Sequence, residues 1–230
     1  IINYYKVKEK ATLLGYKTIL KFSIHLLIST FLIFLITTSG RILVELFFDF
    51  ETVGIYAFYF RLSAVVVMIH QVINIAFFKK IYTFNPEVLD KYFYLFFIFI
   101  FCLSVVIQFI APFIITHFSD YFNDTYQAYK TVYFLLSAQM VMWIASALNS
   151  NIIDRENLAS KNNIKFLILV FISILLFYAV QNYLTLALLT FLHMSIIFVA
   201  CLLQYSSLYN KGIYFKIQKT SYGGIFTKYL

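Results

Sequence analysis

Charge is what this chain has least of. Only 12% of its 230 residues are Asp, Glu, Lys or Arg, against roughly a quarter in soluble domains. From Phe166 to Asn210, 45 consecutive residues carry none. That shortage excludes a water-soluble globule with an ordinary charged surface. Two prolines and six glycines leave few places for helices to break, and no GxxxG pairing occurs within any apolar stretch. The two cysteines, Cys102 and Cys201, each sit inside an apolar run, as small core residues rather than as a disulfide or metal pair. The sequence contains no GxSxG, no HExxH, no glycine-rich phosphate loop and no His or Cys pair at metal spacing. These absences argue against the commonest hydrolase, metalloprotease and nucleotide-dependent chemistries, and no cofactor or metal is expected.

What is present is apolar bulk: 62% hydrophobic residues, 28 Phe, 19 Tyr and a mean hydropathy of +0.85. The long charge-free run breaks at Gln181-Asn182-Tyr183-Leu184-Thr185 into two apolar stretches of similar length. At about 1.5 Å per residue, an unbroken helix would be over twice the roughly 30 Å hydrocarbon core of a bilayer, so the segment folds back as a transmembrane hairpin. The same reading along the chain predicts six spans, near residues 19–47, 54–80, 92–118, 128–152, 163–181 and 184–208. Alternating strands of about ten residues, the mark of a β-barrel, do not recur. The expected fold class is all-α, a polytopic bundle over residues 19–209, preceded by a basic entry segment (1–18) and followed by a basic tail (210–230).

Positive charge orients the bundle. Lys6, Lys8, Lys10, Lys17 and Lys21, then Lys79, Lys80 and Lys91, then Arg155, Lys161 and Lys165, and finally Lys211, Lys216, Lys219 and Lys228 all fall on one side of a six-span topology. The other side has Arg41 and Lys130 beside the acids Glu45, Asp49, Glu51, Asp120 and Asp124, while Arg61 lies within a span. By the positive-inside rule the lysine-rich side is cytoplasmic, with both ends of the chain there. A net charge of +8 spread over four short segments is then topology and attraction to anionic lipid, not a nucleic-acid footprint. The first residue is Ile1 and the opening is too charged for a signal peptide, so the chain reads as part of something longer.

Function is argued from polar groups placed where lipid makes them expensive. Arg61, about two turns into the second span, is expected to face a protein interior or a water-filled cavity. Its planar fork suits a phosphate or carboxylate, either an internal acid such as Glu45 or Asp49 or an anionic substrate. Arg41 and Glu45, four apart at the outer end of span one, form a rim salt bridge or a gate that exchanges partners. His70 and Asn74 share a helical face on the inner half of span two, and His25 on span one is a candidate for the same cavity. For an enzyme, His117 beside Asp120 is the only local pairing, and the short joints leave an active site little room.

Residues 18 to 63 carry a resemblance. Thr18 to Thr30, Ser39-Gly40-Arg41-Ile42-Leu43 and Phe48 to Ser63, with Gly54-Ile55-Tyr56 opening the second span, resemble the repeat start of bacterial polysaccharide (O-antigen) flippases. Those transporters share a superfamily with the multidrug and toxin extrusion proteins. Gly40, where many relatives carry an acid, departs from the pattern, and so does the final hairpin, which lacks a glycine-rich turn. The resemblance implies one six-helix lobe, the C-terminal one, of a two-lobed alternating-access transporter in the bacterial inner membrane. Its substrate would be an undecaprenyl-pyrophosphate-linked oligosaccharide, held by Arg61 and Arg41. Its partners would be the bilayer, the missing N-terminal lobe and a polysaccharide polymerase. A cation-coupled multidrug exporter and a membrane-embedded glycan-modifying enzyme are the alternatives.

Overall fold

The structure, a computed structural model, describes residues 13–117 and 120–213. Lys6, Lys8 and Lys10 of the entry segment, and Lys216, Lys219 and Lys228 of the tail, lie outside the described residues. The chain is a multi-pass helical membrane protein. Its helices are α1 (Leu13–Phe47), α2 (Phe50–Ser63), α3 (Val65–Thr83), α4 (Pro86–Thr116), α5 (Asp120–Arg155), α6 (Ala159–Val180) and α7 (Leu186–Tyr209), with a short 310 turn over Gln181–Tyr183. No strand occurs among the described residues. Five helices are long and apolar enough to cross a membrane, or six where α2 and α3, bent by 44° at their junction, are counted as one span.

Local chemistry sets the joints. Asp49 caps α2, its Oδ1 accepting from the Thr52 amide at 2.9 Å. Thr185 does the same for α7, with Oγ1 accepting from Leu188 N at 3.2 Å. Each supplies a partner to a first-turn amide that has none within its helix. Pro86 opens α4, where a missing N–H costs nothing. Asn157 closes the α5–α6 joint at φ 57°, a left-handed conformation that Asn tolerates.

α5 and α7 form the centre, with the most extensive helix contact in the bundle. α1 packs on α6 and α7, while α2, α3 and α4 pack on α5. Small residues stand where the central pair meets: Ser146 and Ser150 on α5 accept from Gln204 of α7, and Cys201 on α7 donates to the Met142 carbonyl of α5. Ser146 and Ser150 stand four apart, a small-xxx-small spacing of the kind that joins membrane helices, although no GxxxG exists.

The second span is not the continuous helix that its hydropathy predicts. It breaks between Ser63 and Val65 without a proline; the Val67 amide bonds the Ala64 carbonyl three residues back. The buried core divides at the same place. Val53, Tyr56 and Tyr59 pack with Val132, Tyr133 and Leu136 of α5 in one cluster; Val66 and Val67 pack with Met140 and Ile144 in another. Ser63 Oγ meets Ser137 Oγ of α5 at 3.2 Å, buried, between the two. Each half of the span follows its own half of α5, and the bend absorbs the mismatch.

Hydrogen bonds from the Thr52 side chain and backbone hold the Asp49 carboxyl below the usual carboxylate range. Its contribution to α2 is therefore complete above the ordinary Asp value near 3.9 and is lost as pH falls through the lower folded value. Asp49→Ala is expected to speed amide exchange at Thr52 and Val53 while Asp49→Asn retains protection, read by hydrogen-exchange mass spectrometry in detergent. Unchanged exchange in Asp49→Ala would remove the cap from this account.

Candidate functional site

Two arrangements bring polar chemistry into the apolar bundle. The first is a node in the interior of the bundle, away from its lysine-rich end. His193 on α7 is 1% exposed, and its ring contacts three neighbours from two helices. Nδ1 lies 3.2 Å from Gln139 Oε1 on α5; Nε2 lies 3.0 Å from the Ile36 carbonyl and 3.2 Å from Ser39 Oγ on α1. The Ile36 carbonyl only accepts, so in the neutral ring Nε2 carries the proton and Nδ1 accepts. Gln139 meets that demand when its amide nitrogen faces Nδ1, an orientation of equal shape, and Nε2 of Gln139 has no other hydrogen-bond partner.

Gly40 makes the node possible. A Cβ built there would collide with the Tyr56 hydroxyl and stand 2.8 Å from His193 Nδ1 and 2.9 Å from Cε1. The missing side chain thus brings α1, α2 and α7 together, and the Tyr56 hydroxyl, fully buried, is left without a hydrogen-bond partner. The absence of a side chain at Gly40 is a packing requirement of this bundle.

The second arrangement is a lateral pocket of about 330 Å³ walled by α3, α4 and α5, with His70 and Asn74 in its lining. Asn74 Oδ1 accepts from Asn151 Nδ2 of α5 at 2.9 Å. His70 and Asn74 do come together, as their spacing predicts. His25 does not join them: it is half-buried on α1, where its backbone carbonyl accepts from Asn163 Nδ2 at 2.9 Å. α1 packs on α6 and α7, not on the pocket walls.

Arg61 is exposed on the outside of this bundle, two residues before the break in the second span, and not in its interior. Neither Glu45 nor Asp49 pairs with it among the described residues; Asp49 is committed to its cap. Arg41 and Glu45 are both exposed and form no rim bridge. Two solvated or head-group-facing side chains gain too little from pairing to be held in one geometry. The ion pair present among the described residues is Arg155–Glu156, at 2.9 Å. His117 is exposed, and residues 118 and 119, which separate it from Asp120, lie outside the described residues.

The sequence reading singles out neither His193 nor Gln139, although each is the most polar residue in its apolar surroundings. That isolation is the signal that marks them. Their pairing is invisible in sequence because 54 positions separate them. Among the described residues no group of His, Cys, Asp or Glu is placed to hold a metal ion. Comparison with known protein families, with characterised proteins and with solved structures finds no match.

Gly40→Ala is expected to destabilise the protein by about 1–3 kcal/mol through overpacking against Tyr56 and His193. Tyr56→Phe, which removes the nearest clashing atom, should recover part of that loss in the double variant. Thermal unfolding of the four proteins in detergent checks this; additive losses would show that the two residues do not share the contact.

Proposed function

We propose that this chain is one lobe of an alternating-access transporter of the bacterial inner membrane that flips an undecaprenyl-pyrophosphate-linked oligosaccharide. The observation that carries the reading is the broken second span with Arg61 beside the break. Discontinuous membrane helices recur at the substrate sites of secondary transporters, where half-helix ends supply partial charge. Here the Arg61 guanidinium, exposed in the last turn of α2 beside the break, is the positive charge that attracts an anion. No acid of this bundle neutralises Arg61 among the described residues, which leaves its fork for a pyrophosphate head at the face shared with a second lobe. The resemblance of residues 18 to 63 to polysaccharide flippases supports the choice of substrate. Arg41, also exposed, is a second contact for the same head group; Glu45 lies one turn away as its exchange partner.

One observation favours the exporter reading. Asp154, near the lysine-rich end of α5, is half-buried and its Oδ1 has no hydrogen-bond partner, as a carboxylate that takes up a coupling cation would be. It does not bear on what is carried.

The test is surface-polysaccharide display in a strain lacking its own flippase, complemented by the full-length gene. Arg61→Ala is expected to abolish display at equal protein level in the membrane. Arg61→Lys should restore it in part, because charge is kept and the fork is lost. Normal display with Arg61→Ala would overturn the assignment of Arg61 to the substrate path.

A further inference from the structure

The pocket between α3, α4 and α5 begins more than two helical turns beyond Arg61 along the broken span, and neither the break nor the His193 node uses it. Its volume of about 330 Å³ falls within the range of small-molecule sites. It opens at Tyr92, Leu95 and Phe99 of α4, all exposed on an apolar face of the bundle. A molecule dissolved in the bilayer therefore reaches it without crossing water.

The walls define the occupant. Phe77, Phe93 and Phe96 are among six aromatic residues that line the space, a surface that favours a flat ring over a flexible chain. Against them stand two polar groups on one face of α3, a single turn apart. His70 is 3% exposed, its ring lies 5.8 Å from that of Phe96, and its Nε2 has no hydrogen-bond partner. Asn74 has its Oδ1 engaged by Asn151, which orients the amide and keeps its Nδ2 donors for another acceptor. Lys80 caps the lysine-rich end, its Nζ 5.0 Å above the Phe77 ring.

A purely apolar occupant would leave the Asn74 amide donors against hydrocarbon. A phosphate head would find a single cation, Lys80, at one end of walls that are otherwise mostly hydrocarbon. We propose that this pocket binds a membrane-dissolved lipophile whose ring carries hydrogen-bonding oxygens, the quinone class. The ring lies among Phe77, Phe93 and Phe96. One oxygen bonds the Asn74 amide, another the edge of the His70 ring that lines the pocket, and the alkyl or isoprenoid tail leaves through the side opening into lipid. Occupancy is independent of what the transporter moves.

The experiment is calorimetric titration of the full-length protein in detergent with a decyl-substituted benzoquinone and, in parallel, with decylbenzene, which has the same tail and ring but no oxygen. Saturable binding of one quinone per chain is expected, about tenfold tighter than decylbenzene, as one or two buried hydrogen bonds imply. His70→Phe and Asn74→Leu, which keep apolar shape, should each bring the quinone toward the affinity of decylbenzene. His70→Gln, which keeps a donor, should preserve the difference. Ile73→Trp, which fills the pocket, should lose both ligands while circular dichroism remains that of the parent. The proposal is overturned if the parent protein shows no saturable quinone binding, if the two probes bind equally, or if His70→Phe and Asn74→Leu both leave quinone affinity unchanged. Displacement of bound quinone by phosphatidylglycerol at equal concentration would also overturn it, making the pocket a seat for anionic phospholipid.

Discussion

In hydrocarbon a polar group has only protein to bond to, and in this chain the contact between α5 and α7 is where most of that demand is met. Gln139 meets His193, the Cys201 thiol donates to the Met142 carbonyl at 3.3 Å, and Gln204 Nε2 donates to the Ser146 carbonyl at 3.1 Å and to Ser150 Oγ at 2.9 Å. These links run along α5 and α7 from Gln139 and His193 toward the lysine-rich end. Lipid tails are as apolar as leucine, so burial alone does not drive membrane helices together; small side chains and such bonds do. Removing the α5–α7 seam would leave α1 and α6 without their central support.

The broken second span follows from that seam. α5 is the wall against which α2 and α3 pack, and its inward residues change from Val132, Tyr133 and Leu136 to Met140 and Ile144 across a short polar stretch holding Ser137 and Gln139. α5 departs from helical geometry at Tyr129 (φ −118°), ahead of both clusters, and the change of direction between them is made by the partner span at Ala64. The bend therefore falls where the two apolar clusters meet, and it leaves Arg61 at the surface beside a fresh helix start. Packing and the candidate substrate contact share one cause.

Several polar groups remain unmatched within the bundle. Asn162, fully buried on α6, has no hydrogen-bond partner at either end of its amide, and Gln204 Oε1 has none. Nearby, Lys165 extends its ammonium to Ser207 Oγ at 2.8 Å. All lie toward the lysine-rich ends of α6 and α7, whereas the faces of α6 turned away from its neighbours are Phe, Ile and Leu. A buried amide with both ends unmatched is costly in a closed packing. The lysine-rich ends of α6 and α7 are thus the least satisfied part of the bundle.

Hydropathy and charge asymmetry by themselves determined that this is a helical, multi-pass membrane chain, because span length and the cost of charge in lipid act on local sequence. They also placed His70 and Asn74 on one face, since a helical period is local too. The bend at Ala64, the exposure of Arg61 and the separation of His25 from the His70 pocket were decided by tertiary packing, through which face each helix turns to α5 or α7. The His193 node is the clearest case. It joins Ile36, Gly40, Tyr56, Gln139 and His193, residues spread over most of the chain, and only the approach of four helices makes an isolated glutamine and an isolated histidine into partners.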